Sequence, residues 1–211
     1  MSLSILDQFG PRAARGKQPF AGELALLRGR VHELCGPARV AMAAMLMART
    51  AGPVLWIAPA WRAERIYPDG LAGFADPGRL VMAQARRGED ILWAMEEALR
   101  SGALPLVVAE LAEVPGLTPV RRLNLAAESG AERAADRRGL APLGVMLTPG
   151  AGGAAGVESR WRMGFAPSAS GLLEGAEGWR LERERARGEG PAAFTLRRRG
   201  RGEVEVGPDR A

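Results

Sequence analysis

The chemistry open to this chain is bounded by a few scarce residues. Of its 29 Lys+Arg only Lys17 is a lysine, and His32 and Cys35 are its one histidine and one cysteine. A catalytic lysine must therefore be Lys17, and an imidazole base must be His32. His32 and Cys35 invite a base–nucleophile pairing, but three positions apart on a strand they project to opposite faces. A lone cysteine forbids an internal disulfide and a multi-cysteine zinc site. Glu96 and Glu97 are adjacent on a helix, about 100° apart, which suits a solvated edge better than an acid–base couple. Glu64, Asp69 and Asp76 sit among Gly and Pro, the composition of plain turns rather than of a cation cage.

The densest charge lies between residues 179 and 201. Arg180, Arg183, Arg185, Arg187, Arg197, Arg198, Arg199 and Arg201 face only Glu182, Glu184 and Glu189 there. Guanidinium forks suit carboxylate or phosphate docking, with Trp161 and Trp179 available as anchors. A solvated hairpin is the competing reading.

Positioning these groups falls to an alternation of elements. Val31–Cys35, Val54–Ala58, Leu80–Ala83, Leu104–Ala109 and Pro142–Leu147 are short apolar runs of buried-strand type. Between them, Ala38–Thr50 reads as a helix stopped by Gly52-Pro53, and Glu89–Arg100 as a helix with acids in its first turn and Gly102 after its end. Thr118-Pro119 opens a third helix, with a break expected at Gly130, running to about Arg138. This pattern predicts an α/β fold with a central, mostly parallel sheet flanked by helices. Past Gly150 helices stop. Trp161–Phe165, Trp179–Arg187 and Ala193–Arg198 predict an antiparallel extension over about 157–199. Residues 1–20 read as a flexible arm, with one docking turn at Ser4–Phe9, and 21–199 as one domain. Ala21–Leu27 is expected as a short helix and 200–211 as a frayed tail.

Composition narrows the function classes. With 211 residues, 47% hydrophobic and 25% charged, a packed core is within reach and wholesale disorder is excluded. No apolar run approaches the roughly 20 residues of a membrane span, and no signal-peptide core is visible, so a soluble, cytoplasmic protein without membrane contact is expected. The net charge of +5 permits nucleic-acid contact without demanding it.

The stretch GRVHELCGPARVAMAAML has the outline of a strand, a Gly-Pro turn and a helix, and the later order VLWIAPA, RLVMAQARRGEDILWAMEEALRSGA, LPLVVAEL, PLGVMLTPG and WRLERERARGEGPAAFTL resembles RecA-type recombinases over roughly residues 29–196. More specifically, GRVHELCGPAR, GPVLWIAP, DILWAMEEALRSGALPLVVAEL, GLTPVRRLNLAAE and PLGVMLTPG are similar to the alphaproteobacterial ImuA family of RecA-like mutagenesis proteins. The resemblance implies a RecA-like core. It also implies a phosphate-binding loop in the Gly-Pro turn, which this chain does not keep. Counted from Gly36 and Pro37 in the family's spacing, the second glycine falls on Ala41, the phosphate lysine on Met42 and the magnesium-binding hydroxyl on Ala43. Arg39 is no substitute for a compact ammonium there. The water-orienting acid falls on Ala60, the metal acid on Ala109 with Glu110 one step late, and the glutamine on Pro149. The two DNA-gripping loops are reduced to AEVPGL and to Pro149–Gly156, which offers neither cation nor ring.

We therefore expect no cofactor, no metal and no catalysis. The resemblance implies an accessory factor of the SOS response to DNA damage. It would act in translesion synthesis with ImuB and an error-prone C-family DNA polymerase, with RecA or a second copy of itself as further contacts. The expected docking residues are Trp179, Arg180, Arg183, Arg185, Arg187, Arg197, Arg198 and Arg199. A SulA-type division inhibitor that binds FtsZ is the alternative.

Overall fold

Short, largely aliphatic runs become the middle strands because their side chains can be buried on both faces. The computed structural model describes residues 16–166 and 178–209; the docking turn expected at Ser4–Phe9 lies outside them. Eleven strands and four helices follow in chain order among these residues. They are β1 (Lys17–Ala21), β2 (Leu24–Leu27), β3 (Val31–Cys35), α1 (Arg39–Arg49), β4 (Val54–Pro59), α2 (Pro68–Ala72), β5 (Leu80–Ala85), α3 (Gly88–Ser101), β6 (Leu106–Glu110), α4 (Leu117–Asp136), β7 (Leu143–Leu147), β8 (Ser159–Phe165), β9 (Gly178–Ala186), β10 (Ala192–Gly200) and β11 (Glu203–Pro208). Strands β3 to β11 form one sheet in the order β11-β10-β9-β8-β3-β7-β6-β4-β5. From β5 to β8 every pairing is parallel; from β8 outward it is antiparallel. The α/β fold with a mostly parallel sheet and antiparallel C-terminal strands is the one the alternation predicted.

Two apolar layers hold the sheet. On one face α3 and α4 bury Ile91, Met95, Leu99, Val120 and Leu123 against Val31, Ile57, Val107 and Met146. On the other, α1 buries Met42, Met45 and Leu46 against Leu34, Trp56, Val108 and Val145. Helix α1 is buried nearly all round because β1 and β2, an antiparallel hairpin, bring Phe20 and Leu26 into the same core. The Phe20 ring meets Trp161 edge-on, with centroids 5.4 Å apart.

That hairpin corrects two expectations. Residues 17–20 are not an arm, and Ala21–Leu27 is not a helix. Gly22, at φ +50°, turns the chain back, and the strand pair supplies the second apolar wall that α1 requires. The tail is corrected likewise. Glu203–Pro208 pairs with β10, placing Val204 and Val206 against the core. Helix α4 also runs unbroken through Gly130, where a side chain's first carbon would lie 1.9 Å from the Leu99 carbonyl oxygen. The glycine there permits helix contact instead of ending the helix.

Candidate functional site

Gly36 lies at the carboxyl end of β3 with φ +86°, and a Cβ there would sit 2.5 Å from the Met163 carbonyl oxygen, so the turn into α1 requires glycine. In a phosphate-binding turn the backbone N–H groups point at the ligand. Here they point at protein. Gly36 N–H donates to the Gly150 carbonyl at 3.0 Å, Ala38 N–H to the Met163 carbonyl at 3.0 Å, and Ala41 N–H to the Ala38 carbonyl at 3.0 Å. Pro37 has no N–H to give. The Arg39 guanidinium folds back on the Gly36 carbonyl at 3.1 Å. Met42 and Ala43 are both 0% exposed and belong to the apolar core, and Ala41 packs at its margin. Lys17 stands on β1 with Glu189 as its ion-pair partner at 3.8 Å.

The other positions from the family's spacing are similarly absorbed. Ala60 N–H donates to Ala85 O at 2.8 Å. Glu110, at the end of β6, accepts the Trp56 indole N–H at 2.6 Å and has Arg62 at 4.0 Å. Ala109 is buried in the core between β6 and the helices.

Glu33 is the residue the sequence reading passed over. Its carboxylate is 0% exposed at the centre of β3. One oxygen accepts from the Thr148 hydroxyl at 2.7 Å and the Gly153 N–H at 2.9 Å; the other accepts the Ala154 N–H at 3.0 Å and Arg160 Nε at 2.6 Å. Arg160 then reaches the Ala154 carbonyl at 2.9 Å. A buried charge is tolerable only with such pairing. The signal was present: one carboxylate in the run Val31–Cys35, whose five residues are all buried, must have partners.

His32 and Cys35 are not brought together. The His32 Nε2–H donates to the Leu27 carbonyl at 2.9 Å, which leaves Nδ1 to accept the Ser159 hydroxyl at 2.6 Å. Trp161 Nε1–H donates to the same hydroxyl oxygen at 2.8 Å. Burial pulls the imidazole pKa down to about 4, so it stays neutral and serves to staple β2 to β8. Cys35 donates to the Ala151 carbonyl at 3.2 Å, and burial, with Glu184 and Glu33 adding, pushes its thiol up to about 12. A small cavity of about 150 Å³ adjoins His32 and Ser159, rimmed by Lys17, Glu158, Arg187 and Glu189.

The arginine-rich strands do not form one surface. Strand alternation and the register of β8 to β11, with its irregularity at Arg160/Trp161, place Arg180, Arg185 and Arg197 on the face away from α1, and pairing with Glu205 sets Arg199 there across the irregularity at Arg198/Gly200. Arg183 lies on the α1 face, 5.7 Å over the Trp161 ring and 3.0 Å from the Gly190 carbonyl. Arg198 lies on that face too, 5.4 Å over Phe74. Arg187, in the β9–β10 turn, has Glu158 at 3.7 Å. On the open face, Arg180 holds Glu182 at 2.8 Å and Asp209 at 2.9 Å, and Arg199 holds Glu205 at 2.7 Å. Trp179 is 3% exposed and packed in the core beside Phe74, so it anchors the fold and cannot be a surface contact. Glu205 of β11 and Asp209 just after it supply two partners that the count over 179–201 left out.

No helix among the described residues is long and apolar enough to cross a membrane. No protein-family model matches the chain. It is 36% identical over 163 residues to Protein ImuA of Caulobacter vibrioides, in each of two strains, covering 70% of this chain and 61% of that protein. The chain thus matches about three fifths of the length of these curated relatives. Among solved structures, SulA from Pseudomonas aeruginosa aligns over 57% of this chain and 98% of its own, with 19% identity and a TM-score of 0.44.

Proposed function

The chain is an ImuA-type protein, and from that premise we propose that it is a non-catalytic accessory factor of SOS-induced, error-prone translesion synthesis. In this reading it works as an adaptor in the cytoplasm, joining ImuB and, through ImuB, a C-family DNA polymerase. RecA or a second copy is a further contact.

One observation carries the non-catalytic part. The β3–α1 turn spends its own amides on Gly150 and Met163, and the residue at the lysine position, Met42, is sealed in the core. A triphosphate would need those amides free, a cation within reach and a hydroxyl for magnesium. Each of these places is taken by packing. A turn so filled supports a scaffold retained for its surfaces. The arginines of the open face, Arg180, Arg185, Arg197 and Arg199, together with Arg183, Arg187 and Arg198 elsewhere on the extension, remain the proposed docking groups. Those on the open face act as one mixed-charge surface with Glu182 and Glu205, not as a polycation.

Two assays on the full chain test this. The purified protein should turn over no ATP above buffer, and tagged protein from DNA-damaged cells should recover ImuB. The double charge reversal R185E/R197E leaves the core alone and should reduce ImuB recovery several-fold. Hydrolysis by the pure chain overturns the non-catalytic reading. Recovery of FtsZ without ImuB overturns the adaptor reading. Undiminished ImuB capture by the double variant removes the open face from the proposal.

A further inference from the structure

Residues 149–156, Pro-Gly-Ala-Gly-Gly-Ala-Ala-Gly, cross the carboxyl end of the sheet between β7 and the approach to β8. Nothing in this segment is larger than proline, so side-chain burial contributes little to holding it. Ala154 alone is inserted in the core. All four glycines, Gly150, Gly152, Gly153 and Gly156, have positive φ, from +60° to +139°. The path is one that other residues do not readily follow. A Cβ on Gly152 would lie 2.7 Å from the Glu33 carboxylate, and one on Gly156 2.9 Å from Leu117.

What fixes the segment is polar and converges on one group. Thr148 Oγ, Gly153 N–H, Ala154 N–H and Arg160 all end on the Glu33 carboxylate. The rest of the segment is tied by Gly36 N–H on the Gly150 carbonyl, Cys35 on the Ala151 carbonyl, Arg160 on the Ala154 carbonyl and the Asn124 amide N–H on the Gly156 carbonyl. A segment with few apolar contacts, held by polar bonds and with its central amides ending on one carboxylate, opens at lower free energy than the strands beside it.

We propose that residues 149–156 are a strap that opens as a unit while the sheet stays folded, with the buried Glu33 carboxylate as its latch. Closed, the strap fills the β3–α1 turn and lies beside Val114 and Leu117, both partly exposed. Open, it uncovers the Gly36 amide and those two apolar side chains together. The device is intrinsic to the chain and does not depend on which partner it serves.

Amide hydrogen exchange on the full chain, read at single residues, tests it. In the wild type, Gly153 and Ala154 should exchange at least 10-fold faster than Leu34 and Met146 in the adjoining strands. Glu33→Gln weakens the acceptor for both strap amides and should speed them by about 10- to 100-fold, with strand amides changed less than threefold. Should Glu33→Gln fail to fold, Thr148→Val removes one donor, leaves the carboxylate paired with Arg160, and should give a smaller change confined to the same amides. Equal acceleration of strap and strands in the variant that folds overturns the proposal, because the strap then opens only with the sheet. Unchanged strap amides overturn Glu33 as the latch.

Discussion

The two halves of the nine-stranded sheet solve the burial problem differently. β3, β6 and β7 are covered on both faces, and among their fifteen residues only Glu110 is not fully buried. Among the described residues β9, β10 and β11 are covered on one face, so Trp179, Leu181, Leu196 and Val204 go inward while Arg180, Arg197, Glu203 and Glu205 are exposed. The parallel half is therefore specified by composition and the antiparallel half by alternation. A side chain's role follows from which half it occupies. In the parallel half Ala41, Met42, Ala43 and Ala109 serve as packing. In the antiparallel half arginines pair with acids of these strands, as Arg180 does with Glu182 and Arg199 with Glu205.

Substitutions should separate the halves by size of effect. The largest change is expected for Met42→Lys, which puts a cation where Met42 is fully buried in the core. A lysine there has no acid in reach and no path to water, so it should destabilise by at least about 4 kcal/mol. It should also restore no ATP turnover, because the turn's amides stay committed. Urea unfolding beside an ATPase assay checks both, and a stable, active variant would break the contrast at its strongest point. Trp179→Ala comes next. Its indole packs with Phe74 and Leu196 on the one covered face, and its loss should remove about 3–5 kcal/mol in a single cooperative transition. Two separate transitions would mean that the antiparallel half is a domain of its own.

Much of this was legible in the sequence, for reasons that differ by region. Val54–Ala58, Leu104–Ala109 and Pro142–Leu147 announce themselves because their side chains are apolar throughout, as a strand covered on both faces allows. The helix over 88–101 is equally plain, with Glu89 and Asp90 at its start and Gly102 in the left-handed region at its end. β2 was not legible: Leu24-Ala25-Leu26-Leu27 are good helix formers, and only the uncovered outer side of α1 makes them a strand. β11 carried a readable signal in Glu203-Val204-Glu205-Val206, a strict alternation that nearness to the end of the sequence disguised. The Glu33 latch and the His32 staple could be suspected but not completed from sequence. Thr148, Arg160 and Ser159 lie more than a hundred residues away and arrive only through the β3–β7 and β3–β8 pairings. Which faces Arg183 and Arg185 take was not legible for a related cause: it depends on the irregularity at Arg160/Trp161, which only the strand pairing reveals.

His32 gives an effect of intermediate size that belongs to the seam between the halves, where β3 meets β8. Its folded pKa of about 4 lies below the ordinary 6.5, so between those values the unfolded chain binds the extra proton. The stability it contributes is complete above pH 6.5 and drains as pH falls toward 4, at up to about 1.4 kcal/mol per unit. His32→Asn should be less stable at pH 8 and should lack most of the slope between pH 6.5 and 5, where carboxylates add little. Thermal unfolding across that window decides it; an unchanged slope would mean the imidazole is not what titrates.

The smallest effect is expected on the open face, and smallness is the point. Arg199 and Glu205 pair across β10 and β11, both more than half exposed, where screening leaves such a bond within about 0–1 kcal/mol. Arg199→Ala should shift unfolding by no more than about 0.5 kcal/mol, and the Arg199→Ala/Glu205→Ala double variant should show coupling of the same order. A coupling of several kcal/mol would show this face to be drier than its strands allow, as it would be if something covered it in solution. The same variant measured with and without ImuB then separates the two sources of coupling. A pair worth little in the free chain and more in the complex is a docking contact, and a pair worth little in both is only part of the solvated face.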